Sequence, residues 1–145
     1  MAAGANSRVK VLFICIGNSC RSPMAEAIAR QDAADIIEAT SAGLSPFGAV
    51  GWMTKSTLEA NGYSTQGLDS KVIAPALWDA ADLVINMSGR AREKAFLSWE
   101  KVEDWRVEDP YGADAAQYQR IFGEIERRIA ELAEKLRRER ETPQG

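Results

Sequence analysis

No histidine occurs among the 145 residues. That absence removes cysteine–histidine and serine–histidine–aspartate hydrolases, and any metal site built on imidazole. Cysteine is scarce as well: Cys15 and Cys20 are the whole supply. Two thiols cannot build the disulfide framework of a small secreted domain, and they are too few to hold zinc by thiolates alone. A reducing, cytoplasmic compartment is therefore expected. No apolar run approaches the roughly 20 residues that a membrane-spanning helix needs. Neither sign of charge dominates, since 18 Lys and Arg stand against 21 Asp and Glu for a net charge of −3. Such a balance offers no electrostatic case for nucleic acid or an anionic membrane surface. A catalyst made from this chain must take its acid from a carboxylic acid, a lysine or a tyrosine.

The length suits one domain with a real core, expected over residues 9–140. Met1 to Arg8 is small and polar, unlike a secretory signal, and reads with residues 141–145 as a loose end. No repeat and no linker divides the chain.

The stretch with the most information is Val9 to Glu26, VKVLFICIGNSCRSPMAE. Val9 and Val11 to Ile14 form a short apolar run that suits a strand covered on both faces. Gly17, Asn18 and Ser19 break it with residues that tolerate left-handed backbone. Ser22 is a plausible N-cap and Pro23 a plausible first helical residue. A curled loop that feeds a helix N-terminus gathers N–H groups into an anion cradle. Cys15 stands where the strand ends, and Arg21 where the helix begins. Both the helix terminus and the guanidinium favour the thiolate, the nucleophilic form of cysteine. The planar fork of Arg21 can hold two oxygens of a tetrahedral oxyanion at once.

Farther along, Ile36–Ser41 reads as a strand and Ala42–Gly48 as a loop. Trp52–Asn61 reads as a helix with Trp52 and Leu58 turned inward. Pro75–Ala80 is a short helix, Leu83–Met87 a strand, and Ser88 caps a helix through Leu97. Val102–Val107 is a weaker strand, and Asp109–Gly112 a turn by composition. Apolar residues at helical spacing from Tyr118 to Leu136 predict a long amphipathic helix over residues 113–140, with a fraying charged tail. Strands alternating with helices indicate an α/β layer with a parallel sheet and helices on both faces.

The string from Cys15 to Pro23, CIGNSCRSP, resembles the signature loop of the low-molecular-weight protein tyrosine phosphatases and of their relatives, the thioredoxin-coupled arsenate reductases. Val107 to Gly112, VEDPYG, is similar to the Asp-Pro-Tyr loop of the same family. The resemblance runs from Val9 to Leu136. It implies a three-layer fold with four parallel strands in the order 2-1-3-4. It also implies that Cys15 attacks phosphorus while Arg21 and the loop residues Ile16, Gly17, Asn18, Ser19, Cys20 and Ser22 hold the phosphate oxygens. Asp109 then acts as general acid and afterwards as base. Asn18 keeps the loop in shape, Ser22 donates to the nucleophile, and Ser41 bonds Asn18. Tyr111 and Phe47 are the expected aromatic walls; Trp52 is the alternative to Phe47 but reads better as core. Cys20 is either a reversible disulfide partner of Cys15 or a small buried apolar residue. No cofactor and no metal are implied. The expected substrate is a phosphotyrosine-containing protein or a small aryl phosphate.

Three departures bear on the reaction. Ser19 stands where the phosphatases usually carry a bulky apolar residue, Tyr111 stands where many have two tyrosines, and Asn61–Ser70 lacks the basic residues of many relatives. The arsenate reductases relay oxidation through two further cysteines after the third strand, and Asn86–Arg90 contains none. Phosphatase is therefore preferred, with arsenate reduction or phosphoarginine hydrolysis as alternatives.

Overall fold

The computed structural model describes residues 7–141. Strand β1 (Val9–Cys15) is buried continuously from Val11, which places it at the centre of the sheet. It pairs in parallel with β2 (Ile37–Gly43) on one side and β3 (Leu83–Asn86) on the other. Strand β4 (Val102–Asp104) pairs in parallel with β3. The resulting order is β2-β1-β3-β4, as the resemblance implies.

Alternation along β1 sends its residues to two cores. Val11, Phe13 and Cys15 face helices α1 (Arg21–Asp32), α2 (Trp52–Ala60) and α5 (Ala115–Glu141), packing with Met24, Ile28, Leu58, Ile121 and Ile125. Leu12 and Ile14 face the other way, with Ala42, Val84 and Val102, beneath Leu77 and Trp78 of α3 (Pro75–Ala80). Burying side chains of this size stabilises the fold by about 1.5–3 kcal/mol each. Among the described residues no helix is long and apolar enough to cross a membrane.

Several element bounds differ from expectation, each for a local reason. The helix read over Ser88–Leu97 shrinks to α4 (Arg92–Ala95). Ser88 does not cap it: its Oγ donates to Asn86 Oδ1 at 2.7 Å and accepts from Arg90 N at 3.1 Å, closing a turn. Strand β4 ends at Asp104 rather than Val107; the last bond to β3 runs from Trp105 N to Asn86 O, and Val107 O receives Arg21 Nη1. Strand β2 runs on to Gly43, past the expected loop start. Helix α1 starts at Arg21, and no side chain caps it; Ser22 is engaged elsewhere. The charged segment from Arg137 continues α5 to Glu141 instead of fraying. Arg137 Nε and Nη2 donate to the Asp35 carboxylate at 2.9 and 2.8 Å, and Arg140 donates to Asp35 O. The loose ends expected at residues 1–8 and 141–145 fall largely on 1–6 and 142–145, outside the described residues. Arg8 donates to Ala34 O and Glu38.

Candidate active site

The loop from Ile16 to Cys20 lies at the carboxyl end of β1, between strands on either side, where open parallel sheets hold ligands. Asn18 carries its bend. At φ 47° it is the one non-glycine residue with positive φ among those described. Its side chain, fully buried, donates from Nδ2 to Ser22 Oγ at 2.8 Å and to Ser41 Oγ at 3.0 Å. Its Oδ1 accepts from Lys71 N at 2.9 Å. Ser41 Oγ donates in turn to Glu26 Oε1 at 2.5 Å, and the other oxygen of Glu26 pairs with Arg30.

Cys15 Sγ and Ser22 Oγ are 3.0 Å apart, and either could donate. Ser22 Oγ accepts from Asn18 and keeps its own hydrogen available to sulfur. When sulfur is a thiolate it can only accept, and the Ser22 hydroxyl is then the donor. Ser22 serves the loop rather than the helix end, which is why the expected cap is missing.

The loop carbonyls are tied outward. Ile16 O accepts from Ser45 N, Gly17 O from Phe47 N, and Ser19 O from Gly51 N. Ser70 Oγ adds a second bond to Gly17 O at 2.9 Å, and Thr54 Oγ1 one to Ser19 O at 2.9 Å. Among the described residues no acceptor meets the N–H groups of Gly17, Asn18, Ser19 or Cys20. Carbonyls braced outward and amides left unpaired make a nest for an anion.

Arg21 is 5% exposed. Its Nη1 donates to Met87 O at 2.6 Å and Val107 O at 3.2 Å, carbonyls just past β3 and β4. Its Nη2 lies 3.5 Å from Asp109 Oδ2. Asp109 Oδ1 accepts from Tyr111 N at 3.1 Å, which fixes the carboxyl over its own turn. Cys15, Arg21 and Asp109 thus border one cavity of about 590 Å³, although Asp109 lies far along the chain from the loop that holds the other two.

Phe47 and Tyr111 meet edge to face across the mouth, with ring centroids 6.0 Å apart and planes at 72°. Gly17 lets the Phe47 ring lie against the loop, since a Cβ there would come within 2.9 Å of the ring and push it aside. Trp52 is not core: it is 75% exposed and lines the same cavity. The buried stripe of α2 is Thr54, Thr57 and Leu58, and Trp52 falls on the opposite side of the helix. Both candidates for the second wall are therefore present.

Cys20 is buried beside the loop, and both cysteines are free thiols. Burial, reinforced by Cys15 and Asp109, pushes the Cys20 thiol up to about 12 despite a hydrogen bond with Thr54. It is a protonated, weakly nucleophilic thiol at neutral pH.

Sequence reasoning overlooked Glu26, Ser70, Met53 and Tyr118. A lone carboxylate between Ala25 and Ala27 was the available signal for Glu26. Burial pushes its carboxyl above the ordinary range, against the opposing pull of Ser41 and Arg30. Ser70, Met53 and Tyr118 carry no local signal, because tertiary packing alone brings them to the loop and the cavity.

A thiol under a nest of amides, beside a guanidinium and a carboxyl, can attack a tetrahedral oxyanion and protonate what leaves. Known proteins share this framework. An arsenate reductase from Bacillus licheniformis is 35% identical over 136 residues, covering 88% of this chain and 97% of that protein. A low-molecular-weight protein tyrosine phosphatase from T. tengcongensis superposes with a TM-score of 0.79 at 30% identity, covering 88% of this chain and 99% of the other. An arginine phosphatase from Geobacillus stearothermophilus superposes with a TM-score of 0.81 at 26% identity, covering 94% and 99%. The sequence model described as low molecular weight phosphotyrosine protein phosphatase matches residues 10–142, so the chain belongs to that family.

Proposed function

We propose that the chain is a cysteine-dependent phosphatase of phosphotyrosine and related aryl phosphate monoesters. The observation that carries this reading is the aromatic mouth, Phe47, Trp52 and Tyr111, set over a loop suited to an oxyanion. Flat apolar walls gain contact with a phenyl ring and nothing from a bare inorganic anion. In the first step the Cys15 thiolate attacks phosphorus, an S–P bond forms and the P–O bond to the aryl group breaks. Protonated Asp109 gives its proton to the departing oxygen. In the second step water attacks the phosphocysteine, Asp109 takes a proton from it, and phosphate and the thiolate are released. The loop amides and Arg21 carry the equatorial oxygens throughout.

Hydrolysis of para-nitrophenyl phosphate followed against pH tests the reading. The wild-type profile is bell-shaped, and Asp109→Asn lowers kcat by about 10²–10⁴-fold and removes the falling limb. A falling limb that persists in Asp109→Asn contradicts the assignment of the acid.

The similarity to arsenate reductases favours a second reading, attack of Cys15 on arsenate. The 145 residues hold no thiol besides Cys15 and Cys20, so resolving the arsenylated cysteine requires Cys20 or an external thiol as reductant. Arsenite formed with glutathione or thioredoxin, without release of phosphate from aryl esters, would decide for it.

A further inference from the structure

Tyr118 reaches the cavity from α5. Its ring packs in the main core and the residue is 6% exposed. Among the described residues no donor or acceptor meets its hydroxyl. Every fully enclosed side-chain nitrogen or oxygen among them does have a partner. The Tyr118 hydroxyl is therefore not fully enclosed, and the open space its side chain borders is the cavity. A buried phenol rarely goes without a hydrogen bond, and leaving one unmade costs about 1–3 kcal/mol. Water can serve it while the site is empty; an occupant that displaces the water must supply an acceptor or lose affinity.

The phosphoryl group does not need this hydroxyl, since the amides of the loop and Arg21 already serve it. Two other cavity hydroxyls lack a partner among the described residues: Ser19 belongs to that loop, and Tyr111 is 74% exposed at the mouth, where bulk water serves it. A volume of about 590 Å³ falls in the range that takes drug-sized ligands and exceeds the needs of one ring. Gly112 and Ala113, which line the cavity as well, offer no side-chain hydrogen bond. A polar atom on the organic half of a substrate, lying along α5, has Tyr118 as its natural partner.

We propose that Tyr118 is a substrate-selecting residue: its hydroxyl donates a hydrogen bond to the organic half of the substrate, so that the site favours aromatic phosphomonoesters larger than one ring that carry a carbonyl-type acceptor. The proposal rests on the aryl phosphatase reading and names the class of ester within it. Burial pushes the Tyr118 phenol up, reinforced by the nearby Asp109 carboxyl, so it stays a donor across the working range.

Tyr118→Phe removes the hydroxyl and keeps the ring. The test compares this variant with wild type on 2-naphthyl phosphate, which has two rings and no acceptor, and on 4-methylumbelliferyl phosphate, which has two rings and a lactone carbonyl. Loss of one neutral hydrogen bond lowers kcat/KM for the umbelliferyl ester by roughly three- to tenfold. The naphthyl ester and inhibition by inorganic phosphate change by less than about twofold, and the melting temperature holds, because the hydroxyl bonds nothing inside the protein. An equal loss on both esters with weaker phosphate inhibition would overturn the proposal, since the hydroxyl would then serve the phosphoryl group. No change on either ester would overturn it too. If wild type turns over neither ester, the aryl phosphatase reading has failed separately. The same selectivity is then read from dissociation constants of the two esters, where an unchanged ratio in Tyr118→Phe again overturns the proposal.

Discussion

Asn18 ties together segments that are remote in sequence. Its amide reaches Ser22, Ser41 and Lys71 while its backbone holds a left-handed bend. Asn18→Ala keeps the strain of that bend and strands buried polar groups. We expect it to lower the unfolding free energy in urea by about 2–4 kcal/mol. Turnover of an aryl phosphate should fall by roughly 10²-fold with it, since misplaced reacting groups lose rate steeply. Equal stability in the two proteins would mean that the network does not hold the loop. Gly43 makes a related prediction. A Cβ there would lie 2.7 Å from Ile16 O and 2.9 Å from Asn18 N, both backbone atoms that cannot swing aside. Gly43→Ala should therefore reduce activity more than Gly17→Ala, whose clash is with the movable ring of Phe47. At this scale the sequence was legible wherever chemistry is local: Cys15, Arg21 and Asn18 lie within one loop. Trp52 was misread because a tryptophan opening an amphipathic helix usually packs inward. Glu26 went unseen because its partner Ser41 arrives from another strand.

Among elements, β1 and α5 were readable because their periods are long and regular. Helix α5 buries Tyr118, Ile121, Phe122, Ile125, Ile129, Leu132, Ala133 and Leu136 along one face, the stripe that the spacing predicted. Ile125→Ala should cost about 2–5 kcal/mol by removing packed volume. It should leave KM for para-nitrophenyl phosphate unchanged, because Ile125 packs in the core below the cavity; a large shift in KM would show that α5 moves with the site. The segment between β3 and β4 was poorly readable. Its helical composition yields to Asn86, whose side chain donates to Arg90 O and Asp104 and accepts from Ser88. Side-chain competition for backbone groups of this kind leaves little trace in periodicity. The extent of β4 was hidden likewise, since Val107 turns its carbonyl to Arg21, which is remote in the sequence.

For the whole molecule, the buried carboxyl of Glu26 links stability to pH. Burial raises its folded-state affinity for a proton above the ordinary value of 4.5. The folded protein then binds more proton than the unfolded chain just above pH 4.5, so this group's contribution to stability falls as pH rises through that interval. Glu26→Gln should flatten that part of the pH–stability curve; an unchanged slope would show that Arg30 and Ser41 fully offset burial. The parallel sheet with its helix layers followed from the βα pattern, whereas the strand order 2-1-3-4 was implied only by the family resemblance that the two motifs carry.

The most direct test puts phosphotyrosine peptide, phosphoarginine peptide and arsenate with an added thiol before one enzyme preparation, beside its Cys15→Ser variant. The account predicts that wild type releases phosphate fastest from the phosphotyrosine peptide, and that the variant releases none. Arsenite production with the thiol, or phosphate release from phosphoarginine, outpacing phosphotyrosine hydrolysis would contradict it.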